Sequence, residues 1–157
     1  MGDVMIGGVS LLEQPLFRDS RGEVRRGVRN GDDGFQEFGE AYVSGILGGI
    51  VKGWKKHTRM HSNLIVLNGC IRFVLHDLRE ESETCGVTDQ LVVSDNVNQR
   101  LVVPCGIWMA FQGIDAGISR VLNVASMIHD PLECETLPIE NDLLPEIDWE
   151  TSEFGRC

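Results

Sequence analysis

The residues best suited to chemistry lie in one short stretch, Lys52-Gly53-Trp54-Lys55-Lys56-His57, closely followed by Arg59 and His61. Histidine titrates near neutrality, so His57 is a natural proton carrier at physiological pH. Lysine takes that role only in a setting that disfavours its charge, which makes Lys55 the second candidate. Side chains alternate along an extended strand, so Gly53, Lys55 and His57 share one face and Lys52, Trp54 and Lys56 the other. His57 and His61 would stand about 13 Å apart on such a strand, too far to share one ion. As a helix, His57-Thr58-Arg59-Met60-His61 would lack the glutamate of the zinc-protease motif. No metal and no cofactor are expected. Lys55, Lys56 and Arg59 either sit in solvent or hold phosphate. Trp54 and Trp108 read as core or rim aromatics, either of which could stack on a base or sugar. His76 and Asp77 are strand neighbours facing opposite ways, so they form no dyad; Asp77 and Arg79 are expected to tie down the loop behind them.

The elements that must present these residues are strands. The chain has 157 residues, 42% hydrophobic and 24% charged, which fits one globular domain. Short apolar runs broken by glycine and polar turns predict strands over 9–11, 41–47, 50–57, 63–67, 71–78, 90–93, 100–103, 107–111 and 120–125. Many short strands at near-regular spacing indicate an all-β sandwich or barrel. Asn68-Gly69, between two apolar runs, predicts a two-residue type I′ hairpin. Residues 25–35 read as a mobile loop. The segment carrying Pro131, Pro138 and Pro145 reads as an extension packed on the barrel and anchored by Trp149.

A net charge of −10 argues against nucleic-acid binding. Basic residues crowd the first third, and acidic ones the C-terminal stretch. The sharper reading of that asymmetry is a cationic site for a phosphorylated small molecule; the plainer one is a set of solvated faces. No run of 18 apolar residues predicts a membrane span. The N-terminal MGDVMIGGVSLLEQ lacks the pattern of a secretory signal. The five cysteines form no CxxC pair and are odd in number, which predicts reduced thiols and a cytoplasmic location.

Further motifs fall in a telling order. Asp19-Ser20-Arg21-Gly22 precedes Val51-Lys52-Gly53-Trp54; then come Asp77-Leu78-Arg79 with Ser82, Thr84 and Gly86, the turn Val103-Pro104-Cys105-Gly106, His129-Asp130-Pro131, Asn141-Asp142 and Ile147-Asp148-Trp149. Over residues 14–150 this resembles the dTDP-4-dehydrorhamnose 3,5-epimerase family. The D-L-R-x-x-S-x-T-x-G string is its most specific piece. The resemblance implies an all-β fold: a single jelly-roll, cupin-like barrel over residues 1–157, with an N-terminal arm and a short acidic C-terminal extension, forming a homodimer. It implies removal of a proton next to the carbonyl of a nucleotide-linked 4-keto-6-deoxy sugar and its return to the opposite face, in polysaccharide or deoxysugar biosynthesis.

By that resemblance the Lys55 and His57 face points into the barrel. Arg21 matches an arginine that contacts the diphosphate, often across the dimer. Lys52 stands where the family has an arginine, and Ser44 matches a small polar residue of the pocket. Asp142 matches an acid that orients the catalytic histidine, and so would pair with His57 or Lys55. The sequence departs from the pattern at the catalytic pair. Lys55 stands at the usual base position, Met109 replaces a second histidine, and the tyrosine acid falls near Asn123. The sugar-nucleotide 3,4-ketoisomerases carry R-G-x-H-x-H at this strand, and His57 matches their second histidine. The expected catalytic residues are therefore His57, Lys55 and Asp142. Arg21, Ser44, Lys52, Trp54, Arg59, His61 and Asn123 are expected at the substrate. A non-catalytic sugar-nucleotide-binding cupin and a metal-dependent cupin of other chemistry are the alternatives.

Overall fold

The computed structural model describes residues 4–150. Its strands are β1 (Ser10–Glu13), β2 (Leu16–Asp19), β3 (Gly22–Arg25), β4 (Glu40–Leu47), β5 (Val51–His57), β6 (Ser62–Asn68), β7 (Cys70–Asp77), β8 (Thr88–Ser94), β9 (Gln99–Val103), β10 (Ile107–Gly113), β11 (Ile118–Ala125) and β12 (Cys134–Leu137). They form a jelly roll of two antiparallel five-stranded sheets. Sheet I runs β1-β9-β6-β11-β4 and sheet II runs β12-β5-β10-β7-β8; β2 and β3 make a separate hairpin. Among the described residues no helix is long and apolar enough to cross a membrane.

The main core fills the space between the sheets, with Ile46, Leu64, Val66 and Val121 from sheet I meeting Ile71, Phe73 and Leu75 from sheet II. A second core lies on the outer face of sheet II. There Trp54, Val74, Trp108 and Ala110 are covered by Leu144, with Ile139, Ile147 and Trp149 packed beside them. The C-terminal segment is thus the lid of a second apolar layer, each large side chain contributing roughly 1.5–3 kcal/mol on burial. This explains why β7 is buried along its whole length: both faces of that strand are covered.

Three expectations from sequence are corrected. Asn68-Gly69 does not close a hairpin. β6 pairs with β9 and β11, whereas β7 pairs with β10 and β8, so the turn is a corner between the sheets. A type I′ turn needs positive φ at both central residues. Gly69 has φ 81°, but among the described residues none other than glycine is positive. A side chain at Gly69 would also strike Ser119. Second, the segment expected to be mobile is packed on the outer face of sheet I. Arg100, buried on β9, donates to the Asp33 carbonyl at 2.9 Å and to the Asn63 side chain. Third, Cys85, Cys105 and Cys134 are free thiols, but Cys70 is disulfide-bonded; an odd count without a CxxC pair does not forbid a bridge.

One local irregularity positions the site. β10 and β5 pair Met109 with Lys55 and then Phe111 with Lys52, so two residues of β10 span three of β5. The extra residue is a β-bulge at Gly53-Trp54, and it reverses the alternation along β5. Lys52 therefore joins Lys55 and His57 on the inner face, contrary to strict alternation, while Trp54 stays outside.

Candidate active site

A cavity of about 240 Å³ opens between the sheets, where β4 and β11 face β5 and β10. One wall carries Lys52, Lys55 and His57. The opposite wall carries Tyr42, Ser44, Ser62 and Asn123, and Phe73, Met109 and Phe111 supply an apolar floor. Among the described residues no carboxylate lines it. Among the described residues Lys52 and Lys55 enter no ion pair, whereas Lys56, on the outer face, pairs with Glu135 at 3.0 Å and lies over Trp108. Lys52 lies 5.9 Å from the Phe111 ring centroid, and Lys55 hydrogen-bonds the Cys134 thiol. An apolar floor beneath unpaired cations suits a ligand with an uncharged ring and an anionic portion.

His57 is fixed from behind. Its Nδ1 hydrogen-bonds Glu133 Oε1, and the Glu133 side chain has no solvent exposure. Glu133 Oε2 accepts the backbone N–H groups of Arg59 at 3.1 Å and Met60 at 3.3 Å. Glu133 is placed by the pairing of β12 with β5, in which the next residue, Cys134, lies opposite His57. It ends a 3-10 turn begun by Pro131 and capped by the Asp130 side chain. Burial alone would raise the Glu133 carboxyl, but the donors from His57, Arg59 and Met60 outweigh it and hold the group below its ordinary range. Burial pushes His57 below its ordinary value; the contacts with Glu133 oppose that shift, and the electrostatic effect of the nearby Lys55 and His129 adds to it. The pair is therefore a neutral imidazole against a carboxylate. With Nδ1–H donated to Glu133, Nε2 is left as the acceptor, which is the arrangement of a general base.

The opposite wall centres on Asn123. Its Oδ1 accepts the Asn63 backbone N–H at 3.2 Å, and its Nδ2 donates to the Tyr42 hydroxyl at 3.0 Å and to Ser62 Oγ at 3.2 Å. Tyr42 reaches this site because it is the cross-strand partner of Asn123 in the β11–β4 ladder.

Among the residues expected from sequence, His57, Lys55, Lys52, Ser44 and Asn123 come together in this cavity. Trp54 does not; it is 1% exposed in the outer core. Arg59 pairs with Asp130 at 2.7 Å at the surface, and the His61 backbone donates to Ser126 Oγ at 2.8 Å; neither lines the cavity. Arg21 sits at the tip of the β2–β3 hairpin, ion-paired with Asp19 at 2.6 Å. Asp142 lines a separate hollow of the C-terminal segment and makes no bond to His57 or Lys55; the carboxylate at His57 is Glu133. Sequence reasoning missed Glu133 and Tyr42. Glu133 lies 76 residues from His57 in an acidic stretch, with no local signal to single it out. Tyr42, the chain's only tyrosine, lies on a strand other than the one where the family pattern puts its acid, so the motif does not point to it. Among the described residues no group of three or more His, Cys, Asp and Glu side chains is arranged to hold a metal.

No family model matches the chain. A solved dTDP sugar isomerase from Desulfovibrio desulfuricans G20 superposes with a TM-score of 0.85, at 30% identity over 92% of both chains. The chain belongs to the dTDP-4-dehydrorhamnose 3,5-epimerase family of dTDP-sugar isomerases. Two further relatives of lower identity carry names from glycan assembly. The spore coat polysaccharide biosynthesis protein SpsL of Bacillus subtilis is 26% identical over 127 residues, 81% of this chain and 84% of that one. A protein of Haloferax volcanii, named as a probable low-salt glycan biosynthesis epimerase, is 28% identical over 127 residues, 80% and 81% of the two chains. Against the family pattern described above, the epimerase-type barrel here keeps a histidine in its cavity two residues beyond the usual base position and backs it with a carboxylate from β12.

Proposed function

We propose that this protein is an epimerase or isomerase of a nucleoside-diphosphate 4-keto-6-deoxy sugar, serving polysaccharide or deoxysugar biosynthesis. The observation that carries this reading is the His57–Glu133 pair facing a cavity that holds two unpaired lysines and no carboxylate. His57 Nε2 takes the proton from the carbon next to the sugar's carbonyl. Lys55 lies beside it on the same wall and stabilises the negative charge that develops on the carbonyl oxygen. Lys52, farther along β5, binds the diphosphate as a point charge. The substrate is a dTDP sugar, in keeping with the names of the relatives. Arg21 meets the diphosphate from the hairpin arm of a second subunit. A homodimer is supported by that arm, whose Phe17 and Val24 are 64% and 66% exposed, and by Val43 and Leu47, which lie exposed on the unpaired edge strand β4. A cytoplasmic location accompanies a nucleotide-sugar substrate.

The test is dTDP-4-keto-6-deoxyglucose in deuterated buffer, followed by proton NMR. Enzyme-dependent loss of the C3 or C5 proton signal, abolished by His57→Ala, is the expected result. Line broadening without exchange at high protein concentration would turn the assignment to a non-catalytic binder.

A further inference from the structure

Inversion at carbon requires two groups. A base that removes a proton from one face and returns it to that face gives exchange without a new configuration. A second group must deliver a proton from the other side. The wall of sheet II supplies His57. Among the described residues, the wall of sheet I, facing it across the cavity, has only one side chain with an acidic hydrogen beyond the small hydroxyls: Tyr42.

The hydrogen-bond directions around Tyr42 are fixed by its neighbours. Asn63 donates its backbone N–H to Asn123 Oδ1, so that oxygen is the acceptor end of the amide. The Nδ2 end then donates, one hydrogen to Ser62 Oγ and the other to the Tyr42 oxygen. The phenol is thus an acceptor in its contact with Asn123, and its own hydrogen is left for the cavity. The Asn123 N–H is also aimed at the atom that becomes negative when that hydrogen leaves. Asn123 lies on β11, and Tyr42 reaches the same wall from β4, one strand over.

We infer that Tyr42 is the proton donor of this site, delivering to the sugar carbon on the face opposite His57, with Asn123 as its positioning residue. The inference rests on the reading of the site as an epimerase. In the step, His57 Nε2 takes the C–H proton and the electron pair passes into the enolate. The Tyr42 O–H then protonates that carbon from the opposite face as the carbonyl reforms; the phenolate regains a proton from water, and His57 gives up its own to water.

The experiment is Tyr42→Phe, which keeps the ring and removes only the hydroxyl, with dTDP-4-keto-6-deoxyglucose in deuterated buffer. Two quantities are followed by NMR: deuterium entering the unreacted sugar, and the inverted product. Wild type should give deuterated inverted product. Tyr42→Phe should still place deuterium in the starting sugar with its configuration retained, because His57 is intact, while inversion falls by about 100-fold or more. His57→Ala should lose both. Inversion by Tyr42→Phe at the wild-type rate overturns the inference and leaves the epimerase reading standing. So does equal loss of exchange and inversion in a variant that melts at the wild-type temperature. Absence of any exchange in the wild type overturns the epimerase reading and this inference with it.

Discussion

The Glu133→Gln variant should separate the orientation of His57 from its presence. Three N–H donors converge on the two carboxylate oxygens: His57 Nδ1–H on Oε1, and the backbone N–H groups of Arg59 and Met60 on Oε2. Glutamine has the same shape but only one acceptor atom, and its amide nitrogen must face one of the two sets. Turned toward Arg59 and Met60, the amide leaves two buried backbone donors without acceptors, at about 1–3 kcal/mol each. Turned toward His57, it requires Nδ1 to accept, so the ring proton moves to Nε2. That second outcome forfeits one hydrogen bond to a charged group, about 1.5–3 kcal/mol, and is the cheaper. A domain of this size should then melt lower by roughly 3–12 °C. The catalytic effect is larger than the loss of stability, because Nε2 now points a hydrogen at the substrate where a lone pair is needed. kcat should fall by about 100- to 10,000-fold, with the affinity for dTDP unchanged. The tautomer is read directly from long-range nitrogen–proton NMR of the imidazole. A variant with wild-type kcat, or one whose His57 keeps its proton on Nδ1, would refute the reasoning.

Two other outcomes follow from the same site. Burial lowers His57 from 6.5, and the donors around Glu133 lower that group from 4.5. Between pH 6.5 and the folded value the unfolded chain binds the His57 proton more strongly. Stability from this group is therefore complete above pH 6.5 and lost as pH falls through the folded value; Glu133 acts likewise below pH 4.5. Urea midpoints should be flat in this respect above pH 6.5 and decline below it, and the acid limb of kcat/KM should lie below pH 6.5; a limb above that value contradicts the buried, neutral imidazole. Lys52→Met should weaken dTDP binding by about tenfold, as expected for one hydrogen bond to a charged group, and flatten its salt dependence, with kcat much less affected; calorimetry at two salt concentrations checks this.

The layered architecture was legible because it depends on local alternation. The nine strands expected from apolar runs all exist, with their ends shifted by a few residues at most. The strands that escaped notice have no apolar period. β3 is exposed at every residue, and β12 is a four-residue edge. The Asn-Gly corner misled because two adjacent apolar runs signal neighbouring strands without saying whether they share a sheet. At the site, the β5 residues could be read directly, since one strand carries Lys52, Lys55 and His57. The partners that give them roles come from elsewhere: Glu133 through the β12–β5 ladder and Tyr42 through β4–β11. Such long-range pairings leave no periodic trace, and the acid expected from the motif, Asp142, fell in a segment whose work is to cover the outer core.

The bulge at Gly53-Trp54 makes the character of the cavity a matter of parity. Paired regularly, with the same residues and no bulge, β5 would turn over the segment N-terminal to Gly53. Lys52 would then face the outer layer, where the C-terminal lid meets Trp54 and Trp108, and the cavity would lose one of its two lysines with no change in which amino acids the strand contains. The bulge thus decides whether this cavity carries two lysines or one. Regular pairing of an unshortened β5 should mark where barrels of this kind change the ligands they accept.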